Sequence, residues 1–92
     1  MADAGPVIVT IRNKRGLHAR ASAKFVTLAS GFNAVVTVSK DGARVTGTSI
    51  MGLMMLAAAP GDTVELAASG DQAETALAAL VKLIESGFGE SD

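Results

Sequence analysis

The sequence predicts an α+β fold, an open-faced β-sandwich in which a four-stranded antiparallel sheet carries three helices on one face. Four short stretches have the β-branched or alternating pattern of strands, and three have apolar residues at the spacing of amphipathic helices. They follow one another in the order β-α-β-β-α-β-α, which favours helices packed together on one face of a single sheet. We expect one domain over residues 1–92, with frayed tails at residues 1–5 and 88–92.

The first half of the chain predicts a strand, a helix and a β-hairpin. Residues 7–11 are β-branched throughout, which favours a strand over a helix. Residues 19–32 place apolar side chains on one helical face and small or polar ones on the other. Residues 34–39 and 43–47 flank Asp41-Gly42, a pair that readily adopts the positive φ angles of a tight turn. The two flanking stretches are therefore predicted to pair as antiparallel strands.

The second half begins with a short helix and a strand. Ser49 precedes the apolar run 50–56, and a serine hydroxyl there can accept a free backbone N–H at the start of a helix. The Pro60-Gly61 pair stops this helix, and residues 63–67 alternate as the fourth strand.

The last helix has the strongest periodicity in the chain. Either Ser69 or Asp71 is expected to cap its start, and Gly87 is expected to end it. Its apolar positions are Ala73, Ala76, Leu77, Leu80, Val81 and Ile84.

Composition and charge exclude several classes of function. The chain has a net charge of −1, one histidine and no cysteine, tyrosine or tryptophan. Disulfides, thiolate catalysis and sulfur-based zinc sites are excluded, and we expect neither a metal nor another cofactor. The weak charge and the lack of stacking aromatics argue against nucleic acid as a partner, and no apolar run approaches the ~20 residues of a membrane span. We expect a cytoplasmic monomer.

The single histidine, His18, lies in the stretch N-K-R-G-L-H-A-R-A-S-A-K-F, where a basic turn meets the first helix. A lone histidine is more often a helix cap or a satisfied surface group than a reactive one. Here, however, the free N–H groups at the helix start, among them those of Ala19 and Arg20, form an anion site beside the ring. An imidazole with a free nitrogen is a competent nucleophile, and the Arg20 guanidinium can bind phosphate oxygens. The stretch therefore predicts a histidine that takes up a phosphoryl group.

The phosphate donor is expected to be external. The sequence contains no glycine-rich loop of the G-K-[ST] type and no obvious carboxylate cluster for magnesium. The chain is therefore not expected to bind a nucleotide and phosphorylate itself. We expect a covalent phosphoryl carrier rather than a self-sufficient enzyme.

Two motifs, G-L-H-A-R at residues 16–20 and T-S-I-M-G-L-M at residues 48–54, stand about thirty residues apart within the predicted element order. This combination resembles HPr, the histidine-containing phosphocarrier family of the bacterial phosphotransferase system, over nearly the whole chain. The resemblance implies that His18, through Nδ1, accepts a phosphoryl group from phosphorylated enzyme I and passes it to an enzyme IIA domain. It also implies that Arg20 contacts the phosphate.

The second motif implies further roles at the start of the second helix. Ser49 matches the serine that an HPr kinase/phosphorylase modifies in many members, although a cap serine needs no regulatory role. Ile50, Met51 and Met54 match the exposed apolar patch that meets enzyme I and enzyme IIA. Methionines at helical spacing are often core filler, but so many apolar residues cannot all face inward on so short a helix, and flexible thioethers suit several partners.

The sequence departs from the family in two respects. Ala21 stands where a proline usually follows the arginine, and H-A-R-A-S-A-K-F resembles an alphaproteobacterial branch that often serves nitrogen-related regulation rather than sugar transport. Several lysines of sugar-transporting members near the docking face are also replaced, so we expect weaker electrostatic steering towards an acidic partner. The replacing residues are Thr27, Ser30, Thr48 and Gly52.

Two other interpretations stay open. The chain can be a regulatory binding module, in which phosphorylation at His18 or Ser49 gates docking to a target protein. It can also be an anion- or metabolite-binding domain of the same architecture. Onward transfer of a phosphoryl group distinguishes the carrier from both.

Overall fold

A computed structural model describes residues 3–90 of the chain. Four strands and three helices follow in the predicted order, and a 3-10 helix over Gly87–Gly89 comes after them. The strands are β1 (Asp3–Thr10), β2 (Val35–Lys40), β3 (Ala43–Thr46) and β4 (Thr63–Ser69), and the helices are α1 (Ala19–Ser30), α2 (Ile50–Met55) and α3 (Ala73–Glu85).

The strands lie in the order β1-β4-β2-β3, and every neighbouring pair is antiparallel. Val9 pairs with Val64 across β1 and β4, and Val38 pairs with Leu66 across β2 and β4. All four side chains are buried on the face that the helices cover, because alternate residues of a strand share one face. The opposite face is open to solvent, and Ile8 is 71% exposed there. The predicted open-faced sandwich is confirmed.

The core lies between the covered face of the sheet and the apolar sides of the helices. Many of the helical core residues are alanines, whose small side chains let the helices approach the sheet closely. The helical side of the core is formed by Ala21, Phe25, Ala29, Leu53, Ala73, Ala76, Leu80 and Ile84. The helices within residues 3–90 fall short of the length and apolar character that crossing a bilayer requires.

The start of α3 differs from the prediction. Its N-cap is Gln72, which makes no capping side-chain hydrogen bond, so neither Ser69 nor Asp71 caps the helix. Both polar side chains at the helix start bind the loop after α1 instead: Oδ2 of Asp71 accepts from Nδ2 of Asn33 at 3.2 Å, and Oε1 of Gln72 accepts from the backbone N–H of Asn33 at 2.6 Å. Ser69 is still the last residue of β4.

The frayed tail expected at the N-terminus is wrong for residues 3–5, which belong to β1. Ala4 pairs with Ala68 on β4, and a β-bulge between Ala4 and Val7 carries the strand past its proline. The first two residues lie outside the described part of the chain.

The frayed tail expected at the C-terminus is wrong for residues 88–90. Gly87 follows α3 with a φ of +67° and turns the chain back, so the ring of Phe88 enters the core and is only 1% exposed. Nζ of Lys24 on α1 donates to the carbonyl oxygen of Phe88 at 2.8 Å. The segment is therefore held by packing and by a hydrogen bond, while residues 91–92 lie outside the described part.

Removing the ring of Phe88 should destabilise the protein far more than a change in a frayed tail would. Truncation of a fully buried phenylalanine to alanine typically costs about 3–5 kcal/mol, so we expect Phe88→Ala to lower the free energy of unfolding by about this amount. Urea unfolding measures the loss, and Phe32→Ala, at a half-buried ring, is a control that should cost less. A loss below about 0.5 kcal/mol for Phe88→Ala, the scale of ordinary surface substitutions, would contradict the packed segment.

Candidate functional site

A tight turn after β1 brings His18 to the start of α1. The backbone N–H of Gly16 donates to the carbonyl of Asn13 at 3.2 Å, and Nδ2 of Asn13 donates back to the carbonyl of Gly16 at 2.7 Å. Gly16 has a φ of +65°, and a Cβ there would collide with the carbonyl oxygen of Ala58. The N–H of Leu17 donates to that same carbonyl at 3.0 Å, which fixes the residue before His18.

His18 is the N-cap of α1, with an extended backbone, and its Nδ1 accepts from the backbone N–H of Arg20 at 3.2 Å. Because a backbone N–H can only donate, Nδ1 must carry a lone pair. The proton of the neutral ring therefore lies on Nε2. The His18 side chain is 21% exposed, so a partner can reach it from solvent. The hydrogen bond that caps α1 is therefore also the one that keeps the ring proton off Nδ1.

The carboxylate of Glu90 is a site group that no sequence pattern indicated. Nε2 of His18 lies 2.6 Å from Oε2 of Glu90, and Nδ2 of Asn13 donates to Oε1 at 3.1 Å. The hydrogen bond from His18 holds the pKa of the Glu90 carboxyl below its ordinary value, against an opposing effect of burial. The hydrogen bond from Asn13 and the positive charge of Lys24 lower this pKa further. Glu90 is therefore ionised at neutral pH and accepts a charge-assisted hydrogen bond from the ring.

Part of this segment could have been found in the sequence. Phe88 stands between two glycines and two residues beyond Ser86, the C-cap of α3. A glycine after a helix end, followed by an apolar residue that packs back on the helix, is a common helix stop. Such a phenylalanine is not typical of a solvated tail. The contact between Glu90 and His18, 72 residues apart, has no such local signal.

Basic side chains surround the accessible side of His18. The cleft at the ring is lined by Lys14, Arg15, Arg20 and Lys24, and Glu90 is its one carboxylate among the described residues. These four residues are half of the eight lysines and arginines of the chain. Despite the net charge of −1, the site is therefore electropositive and suited to an anion. Across residues 3–90, no three potential metal-ligating His, Cys, Asp or Glu side chains come together.

The structure places the predicted phosphate-binding groups together. Ala19 and Arg20 are the first two residues of α1, both are exposed, and the backbone N–H of Arg20 lies next to Nδ1 of His18. Ala21, where the family usually has proline, is fully buried and begins the core face of α1.

The second motif forms a cap and an exposed patch. Oγ of Ser49 accepts from the backbone N–H of Gly52 at 3.0 Å, which confirms the predicted N-cap of α2. This short helix buries Leu53 and packs beside α1, whose first residues form the His18 site. We call its exposed apolar residues the α2 patch: they are Ile50, Met51, Met54 and Met55.

Comparison with known proteins places the chain in a family. Residues 7–86 match the family model described as "PTS HPr component phosphorylation site". The chain is 52% identical over 84 residues to phosphocarrier protein HPr of Neisseria meningitidis, covering 91% of this chain and 94% of the relative. It is 41% identical over 83 residues to phosphocarrier protein NPr of Shewanella violacea, covering 90% and 91%. The crystal structure of HPr-C-His from Thermoanaerobacter tengcongensis has a TM-score of 0.89 to this structure at 48% identity, covering 100% of both chains.

The chain therefore belongs to the HPr family, the phosphocarrier proteins of the phosphotransferase system. The resemblance inferred from the two motifs is confirmed.

Replacing Glu90 by glutamine should reveal the pH dependence of the pair with His18. Because the pKa of Glu90 is lowered by folding, its carboxylate stabilises the fold fully above the ordinary value of 4.5 and less as the pH falls through the folded value. We expect Glu90→Gln to lower the free energy of unfolding at neutral pH, and we expect the difference from the parent protein to shrink below pH 4.5.

Urea unfolding across this pH range measures the difference, with Glu85→Gln, at an exposed carboxylate of α3, as the matched control. A difference that stayed constant as the pH fell well below 4.5 would contradict the lowered pKa of Glu90.

Proposed function

We propose that the chain accepts a phosphoryl group on Nδ1 of His18 from phosphorylated enzyme I and passes it to an enzyme IIA domain. The observation that carries this proposal is the hydrogen bond from the backbone N–H of Arg20, which keeps a lone pair on Nδ1 in an electropositive cleft. In the transfer, a bond forms between Nδ1 and phosphorus while the bond between phosphorus and the donor breaks. The proton on Nε2 stays in place.

The start of α1 supplies donors for the phosphate oxygens. Once Nδ1 bears the phosphoryl group, it no longer accepts from the N–H of Arg20, so this N–H and that of Ala19 become donors to phosphate. The guanidinium of Arg20 lines the same cleft and can bind two oxygens at once. Lys14 and Arg15 add positive charge that favours the dianionic product.

The α2 patch is the proposed docking surface for enzyme I and enzyme IIA. Ile50, Met51 and Met54 are exposed beside the helix that carries His18, and methionine side chains adapt to more than one partner. A carrier must release each partner quickly, so we expect an interface near or below about 1,200 Å² of total buried surface. In this proposal the protein acts as a cytoplasmic monomer without a cofactor, nucleic acid or membrane insertion.

A second candidate function is that of a regulatory binding module, which the position of Ser49 beside the α2 patch favours. Phosphorylation of Ser49 by an HPr kinase/phosphorylase would place a dianion next to these apolar side chains. Repulsion and desolvation would then oppose docking to an acidic partner. Both functions use one surface, and transfer onward to an enzyme IIA domain separates them.

Replacing His18 by alanine should abolish phosphorylation by enzyme I and phosphoenolpyruvate. Because His18 is the single histidine of the chain, acid-labile phosphate should be absent from His18→Ala and present on the parent protein. Loss of the N-cap should cost about 1 kcal/mol, so the variant should remain folded. Acid-labile phosphate on a folded His18→Ala protein would contradict the assignment, and failure of the charged parent to phosphorylate any enzyme IIA domain would favour the regulatory module.

Replacing Ser49 by aspartate should separate its cap role from its charge. Aspartate can still cap α2, so we expect Ser49→Asp to keep the stability of the parent within a few tenths of a kcal/mol. Its charge should slow phosphoryl transfer from enzyme I by roughly fivefold through weaker association, equivalent to about 1 kcal/mol of repulsion at a wet interface, and added salt should partly relieve this.

The control is Ser49→Ala, which removes the cap without adding charge. It should lose about 1 kcal/mol of stability and transfer at the parent rate. Equal transfer rates for Ser49→Asp and the parent at low salt would show that Ser49 only caps the helix.

A further inference from the structure

We propose that Asn13 is a positioning residue for phosphoryl transfer, because it orients the carboxylate of Glu90, which in turn holds the proton of His18 on Nε2. This inference rests on the proposed function, in which His18 is the phosphoryl acceptor. The three side chains form one series of hydrogen bonds: Oε2 of Glu90 lies 2.6 Å from Nε2 of His18, and Oε1 accepts from Nδ2 of Asn13 at 3.1 Å. Each oxygen of Glu90 therefore has its own partner.

The amide of Asn13 is locked in one orientation. The residue is 2% exposed, and its Nδ2 also donates to the carbonyl oxygen of Gly16 at 2.7 Å. Turning the amide by half a rotation would bring Oδ1 against this carbonyl and against Glu90, neither of which offers a proton. The Gly16 carbonyl is itself held by the backbone N–H of His18 at 2.9 Å. Asn13 therefore always presents a donor to Glu90.

The burial of Asn13 is only partly explained by the hydrogen bonds that its Nδ2 makes to Gly16 and Glu90. Its Oδ1 is buried and has no hydrogen-bond partner among the described residues. A buried acceptor without a partner costs free energy of folding, which offsets part of the gain from the two bonds of Nδ2. A polar group kept at such a cost is typical of a residue that serves a neighbouring reactive group.

The orientation of Glu90 affects the reaction in two ways. A carboxylate on Nε2 favours the tautomer that leaves Nδ1 free to attack. As Nδ1 bonds to phosphorus, positive charge develops on the ring, and the carboxylate beside Nε2 stabilises it. The other charged groups that line the cleft oppose that ring charge, because all of them are cations: Lys14, Arg15, Arg20 and Lys24.

Replacing Glu90 by glutamine tests whether Asn13 sets this orientation. If Asn13 holds the side-chain carbonyl of the new amide, the amide nitrogen faces Nε2 of His18 as a donor and opposes a proton there. We expect the fraction of His18 in the Nε2–H tautomer, measured by nitrogen-15 NMR of the unphosphorylated protein, to fall in Glu90→Gln. Adding Asn13→Ala frees the amide to turn its carbonyl towards His18, so the double variant should recover that tautomer.

In the protein that keeps Glu90, Asn13→Ala should lower the Nε2–H fraction, because the carboxylate of Glu90 then loses its anchor. This is opposite to the effect of the same substitution in the Glu90→Gln variant. Asn13→Ala is thus expected to lower the fraction when Glu90 is present and to raise it in the Glu90→Gln background. If Asn13→Ala only loosened the turn, it would change the Nε2–H fraction in the same direction in the parent protein and in the Glu90→Gln variant. That outcome, or no change in either protein, would overturn the proposal. If Asn13→Ala does not fold, Asn13→Ser takes its place with the same expectations, because a hydroxyl donates or accepts and imposes no orientation.

The rate of phosphoryl acceptance from enzyme I separates this inference from the proposed function. Asn13→Ala should slow acceptance on the order of tenfold, by analogy with the losses that follow removal of a hydrogen-bond partner behind a metal-binding imidazole. It should slow acceptance no further when Glu90→Ala is already present. Equal slowing in both backgrounds would assign Asn13 to the turn alone and overturn the inference. The tautomer measurements need no enzyme I, whereas a parent protein that accepts no phosphate would overturn the proposed function.

Discussion

At the start of α1, the backbone N–H of Arg20 points at the ring of His18, and a backbone N–H has no other role than to donate. The ring must meet it with a lone pair, which leaves the proton on the opposite nitrogen and creates the need for an acceptor there. The hydrogen bond that caps α1 is therefore also the one that keeps the proton of the ring off Nδ1. A serine or asparagine at this position would cap α1 equally well but would present no ring nitrogen to the cleft.

The carboxylate of Glu90 reaches the ring of His18 because the residues just before it are held by the hydrophobic core. Phe88 is buried, Gly87 turns the chain towards the helices, and Lys24 holds the carbonyl of Phe88. Glu90 follows two residues later, at the distance that closes the bond to Nε2. The position of the Glu90 carboxylate thus depends on the burial of Phe88 next to it. The α2 patch, by contrast, stays exposed, because Leu53 is the buried residue of α2.

The regular elements could be predicted because their signals are local. A β-branched run, an Asp41-Gly42 turn and a serine before an apolar stretch each act within a few residues. The predictions failed where a distant partner competes with a local one: Asp71 binds Asn33 instead of capping α3, and Glu90 binds His18 instead of lying in a tail. Neither partner can be read from a short window, since each depends on how the helices pack.

The bonds around His18 also bear on the order of folding. They join residues near the two ends of the described chain, and β1 pairs with β4 rather than with a neighbour in sequence. Closing loops of that length costs chain entropy before any contact forms, so we expect such contacts to form late, after local helices and the hairpin of β2 and β3. A partly folded chain would then display His18 without Glu90 beside it. If His18 accepts a phosphoryl group as proposed, reactivity at its Nδ1 is in this way coupled to completion of the native topology.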